Sequence, residues 1–320
     1  MTKKSVPNLL LPGFQKCGTA SLHFLLGSHP QLFVPTGKPQ FFSIGPSGKT
    51  DIDKYLSMFD GHRDEPWVVD TSDSYIENHF SFSKMKEVLG DEITFLIIMR
   101  DPVKRIYSAY AHIRRPSLIG ETREFDQVIY TRSKSLVDLL EHENEQLEKA
   151  ESEGKLILSH LKKRWADSYL WNFRYIFNSV YSIHIKALQR SFPRSRYKFI
   201  IFENFIKNPR DTLAEIYEFL NIEREVAYQQ PYMHKNRGIY STLDLSKRHI
   251  KMYLDISRSV RSRYSLKVLN YFFWYIEEKV LARPFASGMP TDIDTFLRKL
   301  FAAEIDEVGR LTRLDTSCWK

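Results

Sequence analysis

A cation, a residue free to turn and a hydroxyl fall within four positions at Lys16, Gly18 and Thr19, in the run Asn8-Leu-Leu-Leu-Pro-Gly-Phe-Gln-Lys-Cys-Gly-Thr-Ala-Ser-Leu-His-Phe-Leu-Leu. The order reads as a short buried strand, a tight loop and an apolar helix, which is how a fold builds a cradle for an anion. Glycine allows the sharp turn. The N–H groups that open the helix have no partner inside it, and the helix dipole adds about half a positive charge there. Gln15, Lys16, Cys17, Gly18, Thr19, Ala20 and Ser21 are therefore candidate contacts for a phosphate or a sulfate. The nucleotide P-loop, G-x-x-x-x-G-K-[ST], places its lysine after the second glycine. Here Lys16 comes two residues before Gly18 and Thr19 follows the glycine directly, so the loop is shorter and the lysine enters from the strand side.

Such a loop needs a sheet to carry it. Trp67-Val-Val-Asp-Thr-Ser-Asp-Ser-Tyr reads as a second strand running into a polar loop. Ile93-Thr-Phe-Leu-Ile-Ile-Met-Arg is apolar enough to be a strand covered on both faces, as in a parallel sheet. Asp101 and Pro102 then stand in the favoured cap and first-turn positions of a helix. Tyr197-Lys-Phe-Ile-Ile-Phe-Glu-Asn-Phe is a further strand, with a helix opened by Pro209 behind it. Residues 117–196 read as two or three helices. The fold class is α/β, a central mostly parallel sheet flanked by helices in a single domain over 1–320, with helical insertions about 117–190 and 245–290. Ligands in such folds sit at the carboxyl ends of the strands.

With 320 residues and 42% hydrophobic content the chain can bury a full core, and its net charge of +8 favours an anionic partner: a nucleotide, an acidic polymer or a nucleic acid. Two cysteines, Cys17 and Cys318, suit neither a disulfide framework nor a zinc site, and no carboxylate or histidine cluster asks for a metal. The apolar run at Leu9–Leu11 is far short of a signal peptide's core, and no stretch approaches the roughly 20 apolar residues of a membrane span. The expectation is a soluble, cytoplasmic protein with neither a membrane nor a nucleic-acid partner.

Strand-Lys16-x-Gly18-Thr19-x-x-Leu22 resembles the 5′-phosphosulfate loop of sulfotransferases that use 3′-phosphoadenosine 5′-phosphosulfate (PAPS). Ala20 stands where that family has a second hydroxyl, with Ser21 the nearest replacement. Arg100-Asp-Pro-x5-Ser108-x-Tyr110 is similar to the family's 3′-phosphate clamp, and a guanidinium with a hydroxyl suits that task. Lys38-Pro-Gln-Phe-Phe resembles the Lys-Glu-Pro-His-Phe-Phe signature of glycosaminoglycan and bacterial members. Lys38 then falls on the glutamate that usually serves as base, and Gln40 on the histidine. Asp70-Thr-Ser-Asp73-Ser-Tyr75 looks like the acceptor-facing Glu-x-Ser-Pro-x-Tyr element. Tyr110-Ala-His112 resembles the Tyr-x-His of N-sulfating members. His234-Lys235-Asn236-Arg237-Gly238 is similar to a basic loop over the donor.

The resemblance implies a P-loop-like sulfotransferase fold, PAPS as donor, 3′,5′-phosphoadenosine as product and no metal. Lys16 would balance charge on the leaving phosphate, and His112, ahead of Asp70, would take the acceptor's proton. Lys38, Gln40, Phe41, Asp70, Asp73 and Tyr75 would face the acceptor, with Glu77 adding to an acidic lining. That lining leans the acceptor towards a small, cationic metabolite ahead of a glycan, sulfated on a hydroxyl or an amine. The competing readings are a P-loop kinase or nucleotide hydrolase, and a non-catalytic protein that binds acidic polymer or nucleic acid.

Overall fold

The computed structural model describes residues 5–43, 51–113, 121, 123–153, 172–229, 239–240, 283–284 and 288–320. Its centre follows from the apolar runs. Thr94–Met99 is buried at all six positions, which a strand sustains only where both faces are covered. In chain order the elements that matter here are β1 (Leu9–Leu10), α1 (Thr19–Leu26), β2 (Leu32–Phe33), β3 (Trp67–Asp70), β4 (Thr94–Met99), α2 (Pro102–Ile113), α3 (Leu136–Ser152), α4 (Tyr181–Ser191), β5 (Arg196–Ile201), α5 (Phe202–Lys207), α6 (Pro209–Leu220) and α7 (Thr291–Thr312).

The five strands form one sheet in the order β2-β3-β1-β4-β5, and every neighbouring pair is parallel. In register, Leu10 lies between Asp70 and Phe95. The chain visits β2 and β3 on one side of β1, then β4 and β5 on the other, which makes β1 the topological switch point. The loop after β1 therefore emerges where an open α/β sheet leaves its crevice. Leu9, Leu10 and Phe95 are fully buried, each worth about 2 kcal/mol of apolar burial. Phe95 stacks on Tyr197, ring centroids 5.3 Å apart, and so ties β4 to β5.

The α/β class and the strands of the sequence reading are all present. One strand is shorter than its apolar run suggests: β5 stops at Ile201 and α5 takes over at Phe202. The helical turn brings Glu203 back to accept from the Asp101 N–H at 3.1 Å, a contact that a continued strand would not make. Helix α2 starts as its cap residues indicate, with Asp101 Oδ1 accepting from Val103 N at 3.0 Å. The aromatic-rich segment gives α4 and a short turn at Phe177–Ser179. Residues 154–171 and most of the 245–290 stretch lie outside the described residues. Among the described residues no helix is long and apolar enough to cross a membrane.

Candidate active site

The loop between β1 and α1 has the conformation an anion cradle needs. Gly18 is the N-cap of α1 at φ 91, no side chain caps the helix, and its first turn holds no acidic residue. Lys16 is also left-handed, at φ 66. A side chain at Gly18 is barred twice, by that φ and by the Phe202 ring, which a Cβ would meet at 2.7 Å. Cys17 contributes backbone only. Its thiol faces the core, 3.6 Å from the Tyr181 hydroxyl, and burial pushes it up to about 11, well clear of a reactive thiolate.

Phe202 joins this loop to the second cation. The half-buried Arg100 guanidinium lies over the same ring, 5.2 Å from its centroid. Its Nε is buried without a hydrogen-bond partner, and among the described residues no carboxylate pairs with it. The flanks of Arg100 are held firmly. Its carbonyl accepts from Tyr181 OH at 2.8 Å. Asp101 receives Arg298 of α7 at 3.1 Å, and Trp319 near the C-terminus, fully buried, donates to Glu203 at 2.8 Å. The acids beside Arg100 are thus committed to other donors, and among the described residues its charge is uncompensated. Ser108 sits half-buried two turns into α2, and His112 half-buried in its last turn.

On the other side of the loop stands a side-chain network. Lys38 Nζ donates to Thr19 Oγ1 at 3.3 Å and to Asp73 Oδ2 at 3.1 Å, while Gln40 Nε2 donates to Asp73 Oδ1. Lys38 and Asp73 both remain about a quarter exposed, at 24%. Gln40 is placed by Ser72 Oγ, which accepts from its N–H at 2.8 Å. The remaining acceptor-side expectations are corrected. Asp70 is fully buried and its carboxylate takes four hydrogen bonds, from Tyr55 OH, Tyr75 OH, Ser72 N and Ser72 Oγ. Burial raises its pKa against those bonds, but no face is left for an acceptor. Tyr75 is buried with it, and Phe41 is buried against Tyr55, ring centroids 4.5 Å apart. Glu77 is buried under the loop. Of the expected acidic lining only Asp73 reaches the surface. Lys235, Asn236, Arg237 and Gly238 lie outside the described residues.

The sequence of residues 7–237 matches the family model described as "Sulfotransferase domain", which covers more than half of the chain. The chain belongs to the sulfotransferase family. It is 21% identical over 238 residues to human heparan sulfate glucosamine 3-O-sulfotransferase 3B1, covering 73% of this chain and 51% of that protein. It is 32% identical over 118 residues to the bifunctional heparan sulfate N-deacetylase/N-sulfotransferase 1 of Caenorhabditis elegans, covering 35% of this chain and 13% of that one. The sulfotransferase thus spans about half the length, or less, of these curated relatives. In fold it is similar to the crystal structure of a sulfotransferase from Alicyclobacillus acidocaldarius, with a TM-score of 0.61 at 20% identity over 98% of this chain and 99% of that chain.

The site of this sulfotransferase suits a doubly anionic ligand on its own geometry. Among the described residues the α1 start has no cap or acid and the buried Arg100 Nε has no hydrogen-bond partner; both are costs in an isolated fold that an anion would relieve. Three residues that shape the site act through contacts made 60 or more positions away in the chain: Phe202 at Gly18 and Arg100, and Arg105 and Glu77 at Gln15. Phe202 and Arg105 carry no sequence signal, and Glu77 faces the loop and not the acceptor.

Proposed function

We propose that this sulfotransferase takes its sulfuryl group from PAPS and passes it to a hydroxyl or an amine. The observation that supports this most is the meeting of two positive regions, the start of α1 and the Arg100 guanidinium, across one aromatic ring, with no carboxylate on either among the described residues. When bound, PAPS supplies the activated sulfuryl group and leaves as 3′,5′-phosphoadenosine. In this reading the backbone from Lys16 to Ala20 holds the 5′ end, since the Gln15 N–H is given to Glu77 and the Ser21 N–H to the Gly18 carbonyl, and Lys16 balances the charge that builds on the leaving phosphate. Arg100 and Ser108 hold the 3′-phosphate, and Lys235, Asn236, Arg237 and Gly238 close over the donor.

Asp73 takes the acceptor's proton in this proposal, in place of the buried Asp70. It is the exposed carboxylate of the acceptor side, and its Lys38 partner reaches Thr19 on the loop. Protonating Asp73 leaves the Lys38 charge unbalanced beside Thr19, where added negative charge must be stabilised. His112 is the rival proton acceptor. A cationic acceptor would call for an acidic lining, and with Asp73 paired to Lys38 little of one remains, so the lining gives a cationic acceptor no support and the proposal keeps both a hydroxyl and an amine.

Incubation of the purified chain with radiolabelled PAPS, in EDTA, against a panel of small amines, small alcohols and a desulfated heparan glycan tests the reading. Label transfer to one of them is expected. Transfer from ATP with magnesium and none from PAPS would replace it by a kinase or hydrolase. Retention on heparin or DNA without turnover would point to a binding protein. Within an active enzyme, loss of turnover in Asp73→Asn but not in His112→Ala assigns the base to Asp73, and the reverse result assigns it to His112.

A further inference from the structure

Beneath the donor loop lie two buried side chains that take no part in the proposed chemistry and yet hold its backbone. Glu77 Oε1 accepts from the Gln15 N–H at 3.2 Å, and Arg105 Nε donates to the Gln15 carbonyl at 3.0 Å. They come from separate elements. Glu77 follows β3, whereas Arg105 is on α2 and is itself anchored through Nη1 to Ser179 Oγ at 2.9 Å and to the Tyr175 carbonyl at 3.4 Å. Their charged ends stand 3.7 Å apart, with side-chain exposures of 1% for Arg105 and 0% for Glu77.

We infer that Glu77 and Arg105 are positioning residues of the donor loop: by fixing both backbone groups of Gln15 they set the left-handed turn that presents Lys16. The inference rests on the reading of the loop as the donor's phosphate site. A left-handed lysine is strained and persists only where its surroundings over-determine it. The surroundings do so here at the residue immediately before it. The fit is close, since a Cβ on Gly13 would meet Glu77 Oε2 at 3.0 Å. Glu77 Oε2 is also buried without a hydrogen-bond partner. Such an orphan oxygen is a cost to stability that the grip on Gln15 must outweigh.

The grip also carries charge that can change. Burial pushes the Glu77 carboxyl up to about 7, Asp73 adds to the push, and Arg105 with the Gln15 N–H pulls the other way. His184 on α4 faces Arg105 but is held neutral by its own burial, near 3. Around neutrality the pair therefore passes between an ion pair of no net charge and a neutral acid beside an uncompensated Arg105. The second state puts one more positive charge under the loop. An anion in the loop favours that state, and its binding takes up a proton.

Calorimetric binding of 3′,5′-phosphoadenosine to the full chain from about pH 6 to about pH 8.5 tests this, in wild type, Glu77→Gln, Glu77→Ala and Arg105→Gln. Circular dichroism and thermal unfolding check each fold. Glu77→Ala and Arg105→Gln are expected to weaken binding by about tenfold or more, having lost a charge-assisted hold on the loop. Glu77→Gln keeps an acceptor oxygen for the Gln15 N–H. It should bind within about threefold of wild type at the acid end and lack the wild type's proton uptake across neutrality. The difference between the two profiles cancels the ionisation of the ligand's own phosphate. If Glu77→Ala or Arg105→Gln fails to fold, the profile of Glu77→Gln decides alone. Folded variants that bind as wild type, or a Glu77→Gln profile that matches wild type, overturn the inference. A wild type that binds no 3′,5′-phosphoadenosine at any pH overturns the donor reading, and the inference with it.

Discussion

The two halves of the site handle charge in opposite ways. On the donor half the loop is shaped by backbone, its N-cap is a bare glycine, and Arg100 has no carboxylate to neutralise it among the described residues. On the acceptor half Lys38, itself a cation, is tied to Asp73, and Gln40 holds the other oxygen of the same carboxylate. An anion therefore gains most on the donor half, while the acceptor half offers a balanced ion pair whose carboxylate can take a proton and leave the Lys38 charge unbalanced. The supports differ too. The donor half rests on buried contacts from many segments, including Trp319 near the C-terminus; the acceptor half joins two partly exposed side chains, Lys38 and Asp73, from two loops.

Four substitutions break or sharpen this contrast. Lys16→Ala should show the largest loss, about 10³-fold or more in turnover, with an unchanged melting curve, because it removes charge stabilisation and buries nothing new. Near-normal turnover would contradict the role of the loop. Asp73→Asn should lower turnover by about 10²-fold while binding of 3′,5′-phosphoadenosine stays as in wild type, which separates the two halves in a single variant; a parallel loss of binding would merge them. Gly18→Ala should destabilise the fold by about 2 kcal/mol or more, from the positive φ and the clash with Phe202, visible as a lower Tm. Cys17→Ser should be the mildest, within about threefold in donor affinity, and the wild-type thiol should resist alkylation near neutral pH, since burial holds it up to about 11. Rapid alkylation of the folded chain would show that Cys17 does not face the core.

What the sequence discloses about this site depends on how far apart the partners lie. The Lys16-x-Gly18-Thr19 loop and the Asp101-Pro102 start of α2 are read directly, because a cap or a sharp turn is decided within a few residues. Asp70 and Tyr75 mislead for the opposite reason. A carboxylate at a strand end looks available, and only the fold brings Tyr55 against it. Arg105 passes for one more basic residue of a helix until Gln15, 90 positions earlier, is found under its Nε. Phe202 passes for one more apolar residue of a strand, yet it is where the chain turns helical and where the loop and Arg100 meet. Lys38 is the instructive case. Its type at the base position reads as a loss, whereas the structure gives it Asp73, a carboxylate contributed by the neighbouring loop.

The central claim is that two phosphates are held at once, one by the loop and one by Arg100. The direct measurement is calorimetric binding, in EDTA, of 3′,5′-phosphoadenosine against adenosine 5′-phosphate, for wild type and for Arg100→Ala. The account predicts that the extra 3′-phosphate tightens binding to wild type by about 30-fold or more, and that Arg100→Ala removes most of that gain. Equal affinity of wild type for the two ligands, or a gain that survives in Arg100→Ala, would contradict it.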